Sequence, residues 1–343
     1  MIAKVVVSAA LYAAALSATV FCGSMAAEVC KTQSQMQPAE RDSLAQAALT
    51  FAQRVQANDS NGIQALTIAE YTQNFGGIAA AIATAMPKTQ GARLEVESIF
   101  LLDASDLKPA TATAAEAQFF CSLNQTPSET NFIIPGLPSG LYGFAMVNTA
   151  GTATPWQLAF LLRQEQGTWK LAGFYPRALT AGGHDGLWYW TTARTMTKDK
   201  HPWSAWLYYQ EAENLLRPAG FLSSTHFEKL QAEQLSAAPP ALSGGISTDA
   251  PLVVKGKGDA EYRFTVLVPD DSFNRDKLDI VAHMKVDALG DAGAERVRST
   301  AAMSALLAAY PELRQSFHGV WIFTEAPGQS PATLELAMPD IPS

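Results

Sequence analysis

Metal sites and acid–base pairs are built from histidine, cysteine and carboxylate side chains, and in this sequence those groups are scattered. The five histidines, His184, His201, His226, His283 and His318, lie far apart, with no pair at helical spacing, and there is no CxxC pair. This pattern predicts no metal site and no bound cofactor. No histidine precedes His184, so an Asp–His pair cannot form within the preceding residues. The acids Glu95, Glu97 and Glu116 fall on the polar faces of expected strands, which predicts solvent contact for each. Gly76-Gly77 and Gly182-Gly183 lack the flanking residues of a phosphate or dinucleotide loop and are expected as turns. Asp270, Ser272, Asn274 and Asp276 alternate like the start of a calcium loop. That loop needs glycine at its sixth position and an acid at its twelfth, where this chain has Arg275 and Val281.

The aromatic side chains are less evenly spread. Four of the seven tryptophans, Trp188, Trp190, Trp203 and Trp206, fall in one short stretch together with Tyr189, Tyr208 and Tyr209. Such a cluster could form a face on which a sugar or peptide stacks. It could equally be an internal seam, and from Trp203 to Tyr209 the expected helix is apolar nearly all round, as a helix buried on several sides must be. The seam is the expectation, with the hairpin wedged between the outer parts of the chain.

Lys4 is the only charged side chain before Glu28, and the Val-, Ala- and Leu-rich run from Val5 to Val20 follows it. Ser24-Met25-Ala26 then supplies small residues where a signal peptidase reads. Residues 1–26 are therefore expected as a cleaved secretory signal, with an uncleaved anchor as the alternative. Phe21 before Cys22 does not fit a lipoprotein signal. Export to the periplasm or the extracellular medium would leave Cys30 and Cys121, and oxidising compartments favour a disulfide between them over two buried thiols.

The elements that position these groups divide the chain into three units. Residues 28–180 read as helices followed by strands. Pro38 to Ala57 places Leu44, Ala47, Ala48, Phe51 and Val55 on one helical face, and a second helical stretch runs from about Ile63 to Ala85. The period then changes to two, with strands at Leu94–Asp103, Glu116–Leu123, Leu141–Asn148, Trp156–Gln164 and Thr168–Tyr175. Residues 181–235 read as a helical hairpin, Leu187–Lys198 and Pro202–Leu216, with Thr225 and Glu228 capping a third helix. Residues 236–250 are rich in Pro, Gly and Ser and read as a linker. Residues 251–343 follow a β-β-β-α-β-β order. The fold class is thus α+β: N-terminal helices on a curved antiparallel sheet, a central helical hairpin, and a C-terminal antiparallel sheet with one helix.

Two helices followed by an antiparallel meander ending in Gly167-Thr168-Trp169-Lys170-Leu171-Ala172-Gly173-Phe174-Tyr175 resembles the nuclear transport factor two-like superfamily. The resemblance implies a cone-shaped sheet around a helix, with a pocket lined here by Tyr142, Phe144, Trp156 and Phe160. The hairpin resembles a single tetratricopeptide repeat, through Ala205, Tyr209 and Ala212; one copy is too few for a peptide-binding array. That cone fold serves isomerases, adaptors and dimerisation modules alike, so it implies no activity by itself.

The chain has 343 residues, 48% of them hydrophobic and 16% charged, with formal net charge −8. Its lysines and arginines form no basic run, which argues against nucleic acid and anionic membranes as partners. No stretch after the signal is apolar enough for stable membrane insertion. The expected function is an exported, non-catalytic protein that binds or scaffolds an unidentified protein or small molecule. The alternative is a small-molecule enzyme working in the cone.

Overall fold

The computed structural model describes residues 29–107, 116–122, 129–272, 274 and 276–343. The expected signal segment and Cys22 lie outside them. The described chain is α+β, with helices and sheets in both halves.

The first unit opens with β1 (Val29–Thr32) and α1 (Pro38–Gln56). Pro38 occupies the first helical turn, and the Glu40 carboxylate accepts from the Gln37 amide at 2.9 Å. The stretch expected as one helix from Ile63 is three: α2 (Ser60–Ala65), α3 (Ala69–Thr72) and α4 (Gly76–Thr89). The first break comes where Leu66 and Ile68 trade backbone hydrogen bonds with Leu171, at 2.8 and 3.0 Å, which draws the chain out of helical geometry. Six strands follow: β2 (Arg93–Ala104), β3 (Glu116–Ser122), β4 (Glu129–Pro135), β5 (Gly140–Ala150), β6 (Trp156–Glu165) and β7 (Thr168–Ala178).

The central unit contains β8 (Thr180–Ala181), β9 (His184–Asp185), α5 (Gly186–Lys198), α6 (Pro202–Leu216), β10 (Leu222–Ser224) and α7 (Thr225–Ala237). The cap of α7 is Ser224, whose hydroxyl accepts from the Phe227 amide, and not Thr225. The Thr225 hydroxyl is drawn away to the Glu129 amide, 3.0 Å distant.

The main N-terminal sheet runs β1-β2-β5-β6-β7, and β3 and β4 leave it to form a second sheet in the order β10-β4-β3. Both faces of the main sheet are therefore covered. One packs Ala145, Val147, Leu158 and Phe160 against Phe51 and Ile82 of the helices. The other packs Phe100, Tyr142, Phe144 and Leu161 against Phe119, Phe132 and Leu222 of the second sheet. Double burial explains why β6 is apolar without alternation. A disulfide joins Cys30 of β1 to Cys121 of β3 and so ties the two sheets together.

The C-terminal unit contains β11 (Leu252–Lys255), β12 (Glu261–Asp270), β13 (Asp279–Lys285), α8 (Ala292–Ala309), α9 (Leu313–Ser316), β14 (Gly319–Glu325) and β15 (Ala332–Ala337), and its sheet runs in chain order. The expected all-antiparallel sheet is corrected here, because β13 and β14 are parallel. The helix between them is the cause: a strand, a helix and a strand form a crossover that returns the chain to the end it left. A short second helix, α9, also joins the single one expected. α8 covers one face of this sheet, with Ser299 bonded to Thr324 at 3.3 Å.

Candidate functional site

Gly182 and Gly183 both have positive φ, 51° and 77°, as the two central residues of a tight hairpin between β8 and β9 require. That turn sets His184 beside the start of α5, where Asp185 caps the helix by accepting from the Trp188 amide at 2.8 Å. The His184 ring lies flat on Trp188, with centroids 3.6 Å apart and planes 6° apart. Trp188 is 37% exposed, and it forms one wall of a cleft of about 480 Å³ between the hairpin and the C-terminal unit. Thr192, Thr195, Asp199 and His201 line the hairpin side, and Asp276, Lys277 and Gln315 the other. The floor is aromatic. Tyr189 and Tyr208 meet edge to face at 5.2 Å, with their hydroxyls donated to the Ala181 and Ser316 carbonyls. Burial pushes the Tyr208 phenol up to about 12 and raises that of Tyr189 as well.

Two acids pack near this junction. Glu211 of α6 is buried, and desolvation pushes its carboxyl up to about 7; Asp271 and Asp270 add to the shift, while a hydrogen bond from Asn214 opposes it. Asp271 is also raised, by burial first, against a hydrogen bond from the Gly182 amide.

A second cluster lies at the start of the parallel pair. Asp279 opens β13 and is fully buried; its Oδ1 lies 2.9 Å from Nδ1 of His318. Gly319 makes room for it, since a Cβ there would lie 2.9 Å from that oxygen and 2.6 Å from the Leu336 carbonyl. Glu335 of β15 completes the group, and one donor atom from each of Asp279, His318 and Glu335 falls within 4.8 Å of the others. Burial raises the Asp279 carboxyl, against its hydrogen bond with His318. These are residues that could hold a metal ion, and sequence spacing missed them, because the strand register brings them together.

The expected aromatic set is divided. Trp203 is buried, with its ring 4.4 Å from that of Tyr310, and the half-buried Trp206 meets it edge-on at 6.1 Å. Trp190 is buried, donates to Glu233 at 2.7 Å and carries Arg194 over its ring. These three are packing residues, and only Trp188 faces the cleft. The residues expected to line the cone also separate. Tyr142 and Phe144 are buried under the second sheet, Phe160 stacks on Phe174 at 5.1 Å on the opposite face, and Trp156 is half-buried at the start of β6. A shared pocket is ruled out for them by the double coverage of the sheet. In the calcium-like stretch, Asp270 accepts from the Ser272 amide and Asn274 from the Asp276 amide, so their alternation serves the turn itself.

Comparison with family models, with curated proteins and with solved structures finds no match for this chain.

Proposed function

We propose that this is an exported, non-catalytic binding protein, and that its ligand occupies the cleft between the hairpin and the C-terminal unit. The observation that carries the reading is Trp188, a part-exposed indole held rigid by His184 and set among hydroxyl, amide, imidazole and charged side chains. Ligand sites of this kind are concave, lie where units meet, and combine an apolar wall with a few polar groups. A saccharide, with one apolar face and a rim of hydroxyls, suits that lining. The Cys30–Cys121 disulfide and the expected signal support export. Helices packed on one face of the antiparallel β2-β5-β6-β7 layer support the resemblance of the N-terminal unit to the nuclear transport factor two-like superfamily. The enzyme alternative has less support, since Glu95, Glu97 and Glu116 are exposed.

The test is a glycan array probed with the mature chain and with Trp188→Ala. The wild type should bind a defined subset and the variant should lose it while still unfolding cooperatively, at a cost of about 1–3 kcal/mol for the lost ring contacts with His184, Tyr189 and Tyr208. Absence of glycan binding by the wild type, or binding unchanged in the variant, would reject the reading.

A further inference from the structure

We infer that Asp279, His318 and Glu335 form a binding site for a single divalent transition-metal ion, with zinc the best fit. The inference stands on geometry separate from the ligand cleft and survives its failure. Three features carry it. First, the second oxygen of Asp279, Oδ2, is buried and has no hydrogen-bond partner among the described residues. A buried carboxylate oxygen without a partner costs free energy that a bound cation would recover. Second, Glu335 brings another carboxylate to the same place, and Asp270, paired with Asp279 across β12 and β13, adds further negative charge. A structural Asp–His pair would gain nothing from these extra acids, whereas a divalent ion is neutralised by them. Third, the donor set is one imidazole and two carboxylates. Imidazole disfavours calcium and magnesium, which take oxygen ligands, and suits zinc and its neighbours.

The spacing is compatible. Donors about 2.1 Å from one ion in a tetrahedron lie roughly 3.4 Å apart. The three here lie within 4.8 Å, and an ion held by both oxygens of Asp279 would satisfy Oδ2 and replace the 2.9 Å hydrogen bond between Oδ1 and His318, releasing its proton. Glu335 is a long, half-buried side chain on an edge strand, and a change of rotamer can span the remainder. Three protein ligands would leave one coordination position for water or an incoming group, as in sites that act on or capture a ligand.

The experiment uses the untagged mature chain, stripped with chelator and dialysed, then titrated with Zn²⁺ by calorimetry and with Co²⁺ by visible absorption. One ion per chain is expected. His318→Gln and Glu335→Gln should each weaken uptake by about 10-fold or more, a loss that even outer-shell changes produce. His283→Gln is the control, because His283 bonds Glu325 at 2.7 Å in a comparable pair with no third ligand among the described residues, and it should leave uptake unchanged. Asp279→Asn removes a fully buried charge and tests the same point, with a melting curve to check folding. Glu335→Gln alters only a half-buried edge position and remains decisive if Asp279→Asn fails to fold. No uptake by the wild type at micromolar Zn²⁺, or uptake indifferent to both His318→Gln and Glu335→Gln, overturns the site.

Discussion

Glu211 shows what a single buried acid does to this molecule. Its carboxyl is pushed from the ordinary 4.5 to about 7, chiefly by burial on α6, with Asp271 and Asp270 facing it and Asn214 its hydrogen-bond partner. A raised folded value means the folded state holds the proton after the unfolded chain has released it. The penalty is therefore absent below pH 4.5, grows as pH rises through 4.5 to 7, and levels off above that. The size of the shift corresponds to about 3 kcal/mol at saturation. Glu211→Gln should match the wild type near pH 4 and exceed it in stability at pH 8 by up to about that amount, measured by urea unfolding across the range. Asp271 and Asp279 are shifted the same way, so the variant should keep a shallower slope of the same sign. A stability difference that does not change with pH would contradict the assignment.

At the scale of elements, the disulfide is the clearest constraint. Cys30 and Cys121 lie 91 residues apart in sequence, and closing a loop of that length restricts the unfolded chain by about 4–5 kcal/mol in the entropic account. Replacing both by serine should lower the urea midpoint accordingly, and reduction of the wild type should do the same. An unchanged midpoint after reduction would show that the sheets hold β1 without it. The strands with clear alternation or long apolar runs, β2, β5, β6 and β7, were legible in the sequence, as were α1, α5, α6 and α8. The ones that were not are short or borrowed. β1 has four residues and β10 three, too few to show a period, and β10 exists through its pairing with β4. β4 itself carries only Phe132, Ile133 and Ile134 before Pro135, a run that periodicity cannot assign. The candidate cleft was half legible. The tryptophan cluster stood out, but successive helix residues point about 100° apart, so Trp188 and Tyr189 reach the cleft while Trp190, two steps round, packs on Glu233 and Arg194 instead. The Asp279–His318–Glu335 cluster was not legible, because the parallel crossover assembles it and no spacing along the chain encodes it.

At the scale of the whole molecule, sequence units and cores do not coincide. The linker separates the hairpin from the C-terminal sheet along the chain, yet one continuous core holds Tyr189, Trp203, Tyr208 and Leu215 with Phe264, Ile280, Leu306 and Phe317. The segment after α6 turns the other way: Phe221 packs edge-on to Phe144 and Tyr175, and Leu222 joins the core beneath the second sheet. Arg177 crosses the same boundary, donating to Gln157 and to the Leu215 carbonyl, with burial lowering its guanidinium to about 10. A fragment of residues 181–343 therefore carries its core intact, whereas 28–235 leaves the aromatic faces of α5 and α6 bare. The first should unfold in one cooperative urea transition, with the blue-shifted emission of its buried tryptophans Trp190 and Trp203 lost in that step. The second should bind a hydrophobic dye and lose the hairpin before the N-terminal sheets. Cutting at 180 also strips Phe221 and Leu222 of their partners, so 181–343 should be less stable than the whole chain while remaining cooperative. If instead 28–235 unfolds in a single step without dye binding, the hairpin belongs energetically to the N-terminal unit, and its packing on the C-terminal sheet is a docking contact between separately stable bodies.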